Sequence, residues 1–291
     1  MEALNLCLQA VTQPGDVVAV ESPTFYSALQ ALERLNLRAV EVATHPRDGI
    51  DLDSLAAVLQ SHPVKACWFM PSFQNPLGSL MPPSRKQALV ELLARHQVPL
   101  IEDDVYGELY FGLNRPPPAK AFDQQGLVLH CSSFSKCLAP GYRVGWVAAG
   151  RFASQVQRLK LMTTLSTAIP SQLAISEFLQ GGGYERHLRQ LRLTLAAQQA
   201  LALRLIAEHF PAGTRVTRPQ GGYFLWLELP AQIDTLQLLQ LALAQRISVA
   251  PGHLFSVDRR FGHCLRLNYG YPGDPRFEDA LKVVGQIACS F

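Results

Sequence analysis

The sequence predicts an α/β protein: a mostly parallel sheet with helices on both faces, a three-layer sandwich, followed by a smaller C-terminal α+β unit. Three observations carry this. From Asp16 to Phe69, short apolar runs alternate with segments of helical periodicity, the pattern of parallel strands joined by crossover helices. From Arg215 onward the alternation returns in a looser form. The 291 residues are 48% hydrophobic and 17% charged, enough to bury a large core and a second, smaller one.

The elements follow in order. Glu2 to Val11 carries apolar side chains at helical spacing and stops at Gln13-Pro14-Gly15-Asp16. Strands are expected at Val17–Val20, Arg38–Val42 and Ala66–Phe69, with helices at about 27–35 and 52–62 between them. A further helix runs from Ser84, read as its N-cap, to His96, and leads into the strand Val98–Ile101. Asn114 to Pro118 is a rim loop. Leu127–Leu129 and Val144–Ala149 read as two buried strands with a loop between them. Helices then cover about 155–162 and 171–179, and Gly181-Gly182-Gly183 breaks the run without any dinucleotide fingerprint. From Tyr184 a long helix reaches about Phe210. Its Arg186, Arg189 and Arg192 are read as a solvated face in preference to a nucleic-acid patch. The C-terminal unit is expected to hold strands at Arg215–Thr217, Tyr223–Leu229, Ile247–Ala250 and Leu265–Tyr269, with helices at about 235–246 and from Arg276.

Composition excludes several classes. A net charge of +3, from 26 basic and 23 acidic residues, makes no polyanion-sized field, so no nucleic-acid contact is expected from this chain. The six cysteines, at 7, 67, 131, 137, 264 and 289, stand singly and without zinc-site spacing, so no metal is expected and a reduced cytoplasmic setting is the simplest reading. The N-terminus lacks a basic leader region and no apolar run reaches membrane-spanning length.

Ligands of a parallel sheet gather at the carboxyl ends of its strands. After Val20 comes Pro23-Thr24-Phe25-Tyr26. Phe25, with Tyr26 as second candidate, is either an aromatic for stacking on a planar ring or a helix-entry staple. After Phe69 comes Gln74-Asn75-Pro76-Leu77-Gly78, a turn in its own right. After Ile101 come Glu102, Asp103 and Asp104. Three adjacent carboxylates are a conceivable magnesium site, but strand alternation points Glu102 and Asp104 away from Asp103. Between the two later strands stands Ser133-Phe134-Ser135-Lys136, followed by Pro140-Gly141-Tyr142-Arg143-Val144-Gly145. Hydroxyls and a guanidinium suit a dianionic phosphate. An amine crowded by a cation and poorly solvated is partly deprotonated, as a Schiff-base lysine must be. Arg266 interrupts the apolar strand Cys264–Tyr269, where a guanidinium needs an anionic partner, either a ligand or a structural ion pair.

The string Ser133 to Gly145 resembles the cofactor-lysine motif of fold-type I pyridoxal-phosphate enzymes of the class I/II aminotransferase group, S-x-S-K-x-x-x-P-G-x-R-[IV]-G. The other segments are similar to further motifs of that family, in family order. The resemblance implies that Lys136 forms the aldimine with pyridoxal 5'-phosphate and serves as the base. It also implies that Ser133, Ser135 and Arg143 hold the phosphate and that Asp103 pairs with the pyridinium nitrogen. Asn75 and Tyr106 then contact the phenolic oxygen, Phe25 stacks on the ring, and Arg266 with Asn75 binds the substrate carboxylate. A large cofactor-binding domain over 1–185, an aspartate-aminotransferase-like fold, a small domain over 186–291 and a homodimer are implied with it. Gly181–Arg192 and Gly221–Trp226 further resemble the MocR branch, in which such a domain follows a GntR-type winged helix. The expected function is an aminotransferase acting on an amino acid and a 2-oxo acid. An effector-sensing domain of such a regulator is the alternative, and a decarboxylase or lyase a third. The family's N-terminal arm and glycine-rich phosphate loop would precede Glu2, so these residues are expected to bind the cofactor weakly and to turn over little.

Overall fold

The computed structural model describes residues 1–271 and 273–291. Helix α1 (Glu2–Val11) leads into strand β1 (Val17–Ser22), helix α2 (Tyr26–Arg34), strand β2 (Arg38–His45) and the two-residue strand β3 (Gly49–Ile50). Helix α3 (Leu52–Ser61), β4 (Val64–Phe69), α4 (Pro83–His96), β5 (Leu100–Asp103), β6 (Val128–Ser133) and β7 (Gly145–Ala148) complete a seven-stranded sheet of order β3-β2-β1-β4-β5-β6-β7. The five central strands are parallel, and only the edge strands β3 and β7 run antiparallel.

Alternation along β1 explains the three layers. Val17 and Ala19 pack with Leu55 of α3 and Leu89 and Leu93 of α4 on one face. Val18 and Val20 pack with Leu4 and Leu8 of α1, Leu32 of α2 and Val156 on the other. A strand buried on both faces reads as a continuous apolar run, and Val17–Val20 is one. Asp51 caps α3 by accepting the Ser54 N–H at 2.8 Å.

Helices α5 (Ala153–Thr164), α6 (Ile169–Gln180) and the long α7 (Gly183–His209) lead to the second sheet. That sheet is built from β8 (Arg215–Val216), β9 (Phe224–Glu228), β10 (Ala250–Pro251) and β11 (Cys264–Asn268), in the order β10-β11-β9-β8, with α8 (Thr235–Ala244) and α9 (Arg276–Cys289). Its apolar face, Leu225, Leu227, Leu265 and Leu267, packs on Leu205 of α7 and Leu281 and Val284 of α9. The same cluster takes in Met70, Phe73, Tyr106 and Leu109 from the strand ends of the large sheet, so the two sheets share a core where they meet.

The fold class is the one expected, with local corrections. Ser84 lies inside α4, which begins at Pro83 with Pro82 as its cap residue, because proline suits the first helical turn. Strand β7 is exposed along most of its length, where two buried strands were expected. Strand β10 comes three residues later than its expected start, and β3 was not anticipated. Arg186 and Arg189 are exposed, but Arg192 is half-buried. It donates to the Glu108 carbonyl at 2.8 Å and lies 3.9 Å from the Tyr110 ring centroid, so it belongs to a contact and not to a solvated stripe.

Candidate active site

The chemistry-bearing residues stand where the carboxyl ends of β1, β4, β5 and β6 meet β9 and β11. Asp103 ends β5 and is buried, and its Oδ1 has no hydrogen-bond partner. Burial raises its pKa to about 6, against the pull of Lys136 among others. Its neighbours point elsewhere, as strand alternation requires. Glu102 accepts the backbone N–H groups of Ala119 and Lys120 and pairs with His130 Nδ1 at 2.9 Å. Asp104 pairs with Arg115 at 2.7 Å. The three adjacent carboxylates thus turn to different partners, and among the described residues no group of three or more His, Cys, Asp or Glu side chains converges on one point.

Strand β6 delivers Ser133 at its last position, and a turn closed by Leu138 N–H to the Phe134 carbonyl at 2.9 Å carries Ser135 and Lys136. Arg143 adopts a left-handed backbone, φ +55°, and reaches back to donate to Ser135 Oγ at 3.2 Å and to the Pro140 carbonyl at 3.0 Å. Gly145 lets β7 close onto this turn, since a Cβ there would stand 2.7 Å from the Ser132 carbonyl oxygen. Asp103, Ser133, Ser135, Arg143 and Thr167 line a cleft of about 90 Å³ with the first turn of α1. Hydroxyls, a guanidinium and a helix N-terminus therefore converge on one small space, a donor set for a phosphate.

Lys136 stands at the exposed end of this turn. Its amine is held below the usual lysine value, by partial burial first, then by Arg266 and Arg143, while Asp103 pulls the other way. These three charges come from three separate segments of the chain. Tyr106 is buried and meets Tyr223 and Phe224 edge-on, with centroids at 5.4 and 5.5 Å. Burial raises its hydroxyl pKa well above the ordinary value, so the group remains a donor.

Asn75 is buried after β4, and its Oδ1 accepts Arg266 Nη1 at 2.9 Å. Phe25 is half-buried at the N-cap of α2, packed against the core cluster that contains Tyr106. Arg266 forms no ion pair among the described residues, and its Nε is buried without a partner. Phe224 and Phe255 lie 4.3 and 5.2 Å from its guanidinium carbon. The structural ion pair that would explain a cation in this strand is not there, which favours a ligand anion. Of the residues anticipated from the sequence, Asp103, Ser133, Ser135 and Arg143 share one cleft, Asn75 is bonded to Arg266, and Phe25 and Tyr106 belong to the core where the two sheets meet. Two larger hollows, of about 470 and 520 Å³, lie beside β8 and beside α8 and α9.

Some residues of this neighbourhood were missed. Tyr223 packs edge-on against Tyr106, and in the sequence only its Gly-Gly-Tyr-Phe context marks it. Gln74 and Glu21 are buried under the strand ends. Gln74 immediately precedes the Asn75-Pro76 turn, but nothing local in the sequence marks Glu21. Lys86 is fully buried, donating to Ser72 Oγ at 2.6 Å and the Pro117 carbonyl at 2.8 Å.

A mostly parallel seven-stranded sheet with helices on both faces and a smaller second sheet is the fold of the aminotransferases. The family model "Aminotransferase class I and II" matches residues 1–275, and the chain belongs to that family. It is 52% identical over 287 residues to the uncharacterized HTH-type transcriptional regulator YdcR of Escherichia coli, covering 99% of this chain and 61% of that protein. It is 32% identical to aromatic-amino-acid aminotransferase 1 of Thermococcus litoralis, over 97% of this chain and 69% of the relative. Among solved structures, a kynurenine aminotransferase of Pyrococcus horikoshii superposes with a TM-score of 0.91 at 31% identity, covering 99% of this chain and 73% of the other. LysN, an α-aminoadipate aminotransferase of Thermus thermophilus, superposes at 0.93 with 29% identity, over 99% and 75%. The chain spans about three fifths of the regulator it matches.

Proposed function

We propose that the chain binds pyridoxal 5'-phosphate and moves an amino group between an amino acid and a 2-oxo acid. The observation that carries this is the charge arrangement about Lys136: a depressed amine between Arg143, Asp103 and Arg266, beside a phosphate-type cleft. The residues fit the cofactor. The partnerless buried Oδ1 of Asp103 suits a ring N–H, and Ser133, Ser135 and Arg143 suit the phosphate. Asn75 and Tyr106 would donate to the phenolic oxygen and Phe25 would lie against the ring.

When bound, the cofactor supplies an electron sink for the electrons of a substrate Cα–H bond. Lys136 Nζ would hold the cofactor through its aldehyde and would be the base that carries the substrate Cα proton. Asp103 keeps the ring nitrogen protonated. Arg266 grips the substrate carboxylate and Asn75 fixes the orientation of that guanidinium. The family supports a homodimer, and cysteines free of disulfides support a reducing, cytoplasmic setting.

The likeness to YdcR favours a second reading, in which the same site senses an amino acid or the cofactor within a regulator and no nucleic-acid contact comes from this chain itself. One experiment addresses both. Added pyridoxal phosphate should produce a visible absorption band that Lys136→Ala abolishes while circular dichroism is unchanged. Amino acid plus 2-oxo acid should then yield new amino acid at a low rate. A band retained in Lys136→Ala rejects the site, and a spectral response without product assigns the chain to sensing.

A further inference from the structure

The loops that carry Phe25 and Asn75 are tied together by a side chain with no role so far. Gln74 is fully buried, and both ends of its amide are used. Its Nε2 donates to the Pro23 carbonyl at 2.8 Å, and its Oε1 accepts the Leu77 N–H at 2.7 Å. Its own backbone is fixed as well, by N–H to the Ser79 carbonyl at 3.0 Å and by Gly78 N–H to its carbonyl at 2.6 Å. On the far side of the Phe25 loop, Thr24 N–H donates to the Phe255 carbonyl at 2.8 Å. Beneath, the Glu21 carboxyl group accepts Met70 N–H at 3.0 Å and holds the end of β1 against the end of β4.

We propose that Gln74 is a positioning residue for the cofactor ring, setting the separation between Phe25 on its face and Asn75 at its phenolic edge. The inference rests on the cofactor reading above. Pro23 is two residues before Phe25, and Gln74 immediately precedes Asn75, so the 2.8 Å bond from Gln74 to the Pro23 carbonyl links the two ring contacts directly. A buried amide that satisfies one loop with its donor and another with its acceptor has no tolerance for either loop moving alone. A simple loop-folding role would change stability and cofactor affinity together. A positioning role must also change how well Asn75 supports the ionised phenolic oxygen, because a hydrogen bond to a charged form favours that form.

The test is the pH titration of the visible band in the full chain with pyridoxal phosphate, for the parent, Asn75→Ala, Gln74→Met and Gln74→Glu. The methionine variant keeps the volume and loses both bonds. The glutamate keeps an acceptor for Leu77 and loses the donor to Pro23. Loss of support for the ionised oxygen moves the midpoint upward. Both Gln74 variants are expected to shift it by about one pH unit, in the same direction as Asn75→Ala, and the double variant Gln74→Met/Asn75→Ala to shift it no further than Asn75→Ala alone. If Gln74→Met does not fold, Gln74→Glu carries the reading. A folded variant with the parent's midpoint overturns the inference even if its affinity falls, provided Asn75→Ala moves the midpoint. A parent without any band overturns the cofactor reading and this inference with it.

Discussion

Arg266 and Asn75 stand 191 residues apart in the chain and donate and accept across 2.9 Å, joining the small sheet to the loop that ends β4. The bond uses one of five guanidinium donors and a neutral oxygen, so the positive charge is oriented without being neutralised. Burial, the leading influence, pushes the guanidinium below its usual pKa, yet a group that starts so high remains charged. The fold therefore holds a half-buried cation that is aimed and left available to an anion.

Arg266→Ala should accordingly weaken a carboxylate substrate by at least about a hundredfold, since two charge-assisted hydrogen bonds of about 1.5–3 kcal/mol each are at stake. Arg266→Lys should restore only part of this, because an ammonium cannot make the paired contact. Substrate dependence of the band conversion measures it. An unchanged dependence in Arg266→Ala would place the carboxylate elsewhere.

Asp103 gives a pH dependence whose sign is determined. Without cofactor its carboxyl holds a proton up to about pH 6, above the ordinary value for aspartic acid. A pyridinium N–H beside it favours the ionised form, so binding releases a proton below pH 6. Apparent cofactor affinity must then climb as pH rises to about 6 and level off above it. Phosphate ionises a second time near 6 and contributes a limb of its own in every variant. The difference between parent and Asp103→Asn isolates the carboxylate, measured as dissociation constants from about pH 5 to 8. Parallel profiles would exclude Asp103 from contact with the ring.

What could be read from the sequence was what is local in it. Ser133, Ser135, Lys136 and Arg143 fall within one turn, and Asp103 with Tyr106 within another, so their spacing announced them. Arg266 showed itself as a cation in an apolar strand. Long-range contacts left no such trace. Arg192 reads as one of three exposed arginines because Glu108, its partner, lies 84 residues earlier. The exposure of β7 was invisible because Val144–Ala149 is as apolar as a covered strand, and β3 is too short to show a period. Glu21 and Gln74 carry polar side chains at positions whose burial arises only when three strand ends assemble.

Lys86 was the least legible of these, and it makes a stability prediction. It lies on the buried face of α4 with Leu89, Val90 and Leu93, and its amine meets Ser72, Pro117 and the field of Glu102 and Asp104. Burial pushes its pKa down and the two carboxylates oppose that. Lys86→Met removes the cation and leaves Ser72 and the Pro117 carbonyl unserved, with Arg115 and His130 as the remaining counter-charges. A loss of about 3–5 kcal/mol is expected by urea unfolding, the usual cost of breaking a buried ionic group on one side. A loss below about 1 kcal/mol would show that Arg115 and His130 suffice.

The final prediction concerns association. Leu161 and Met162 near the end of α5, Leu165 after it, and Ile169 and Leu173 on α6 are all largely exposed, Met162 and Leu165 to 75%. Five large apolar side chains within thirteen positions exceed the scatter of single exposed residues on a monomer, and mark a surface that another body covers. Thr167, in the connection between these two helices, lines the cleft with Asp103 and Arg143, so whatever covers the strip also braces the cleft wall. A second copy of the chain is the expected partner. In a two-fold interface each substitution acts twice. Met162→Glu with Leu173→Glu removes four apolar side chains from the contact, about 1.5 kcal/mol each at the least, and weakens the dimer by on the order of ten-thousandfold. Sedimentation velocity should show a dimer for the parent and a monomer for the double variant, with cofactor affinity reduced in the monomer because the Thr167 wall is no longer supported. A monomeric parent at micromolar concentration, or a variant that dimerises as well as the parent, would rule out this strip as the self-association surface.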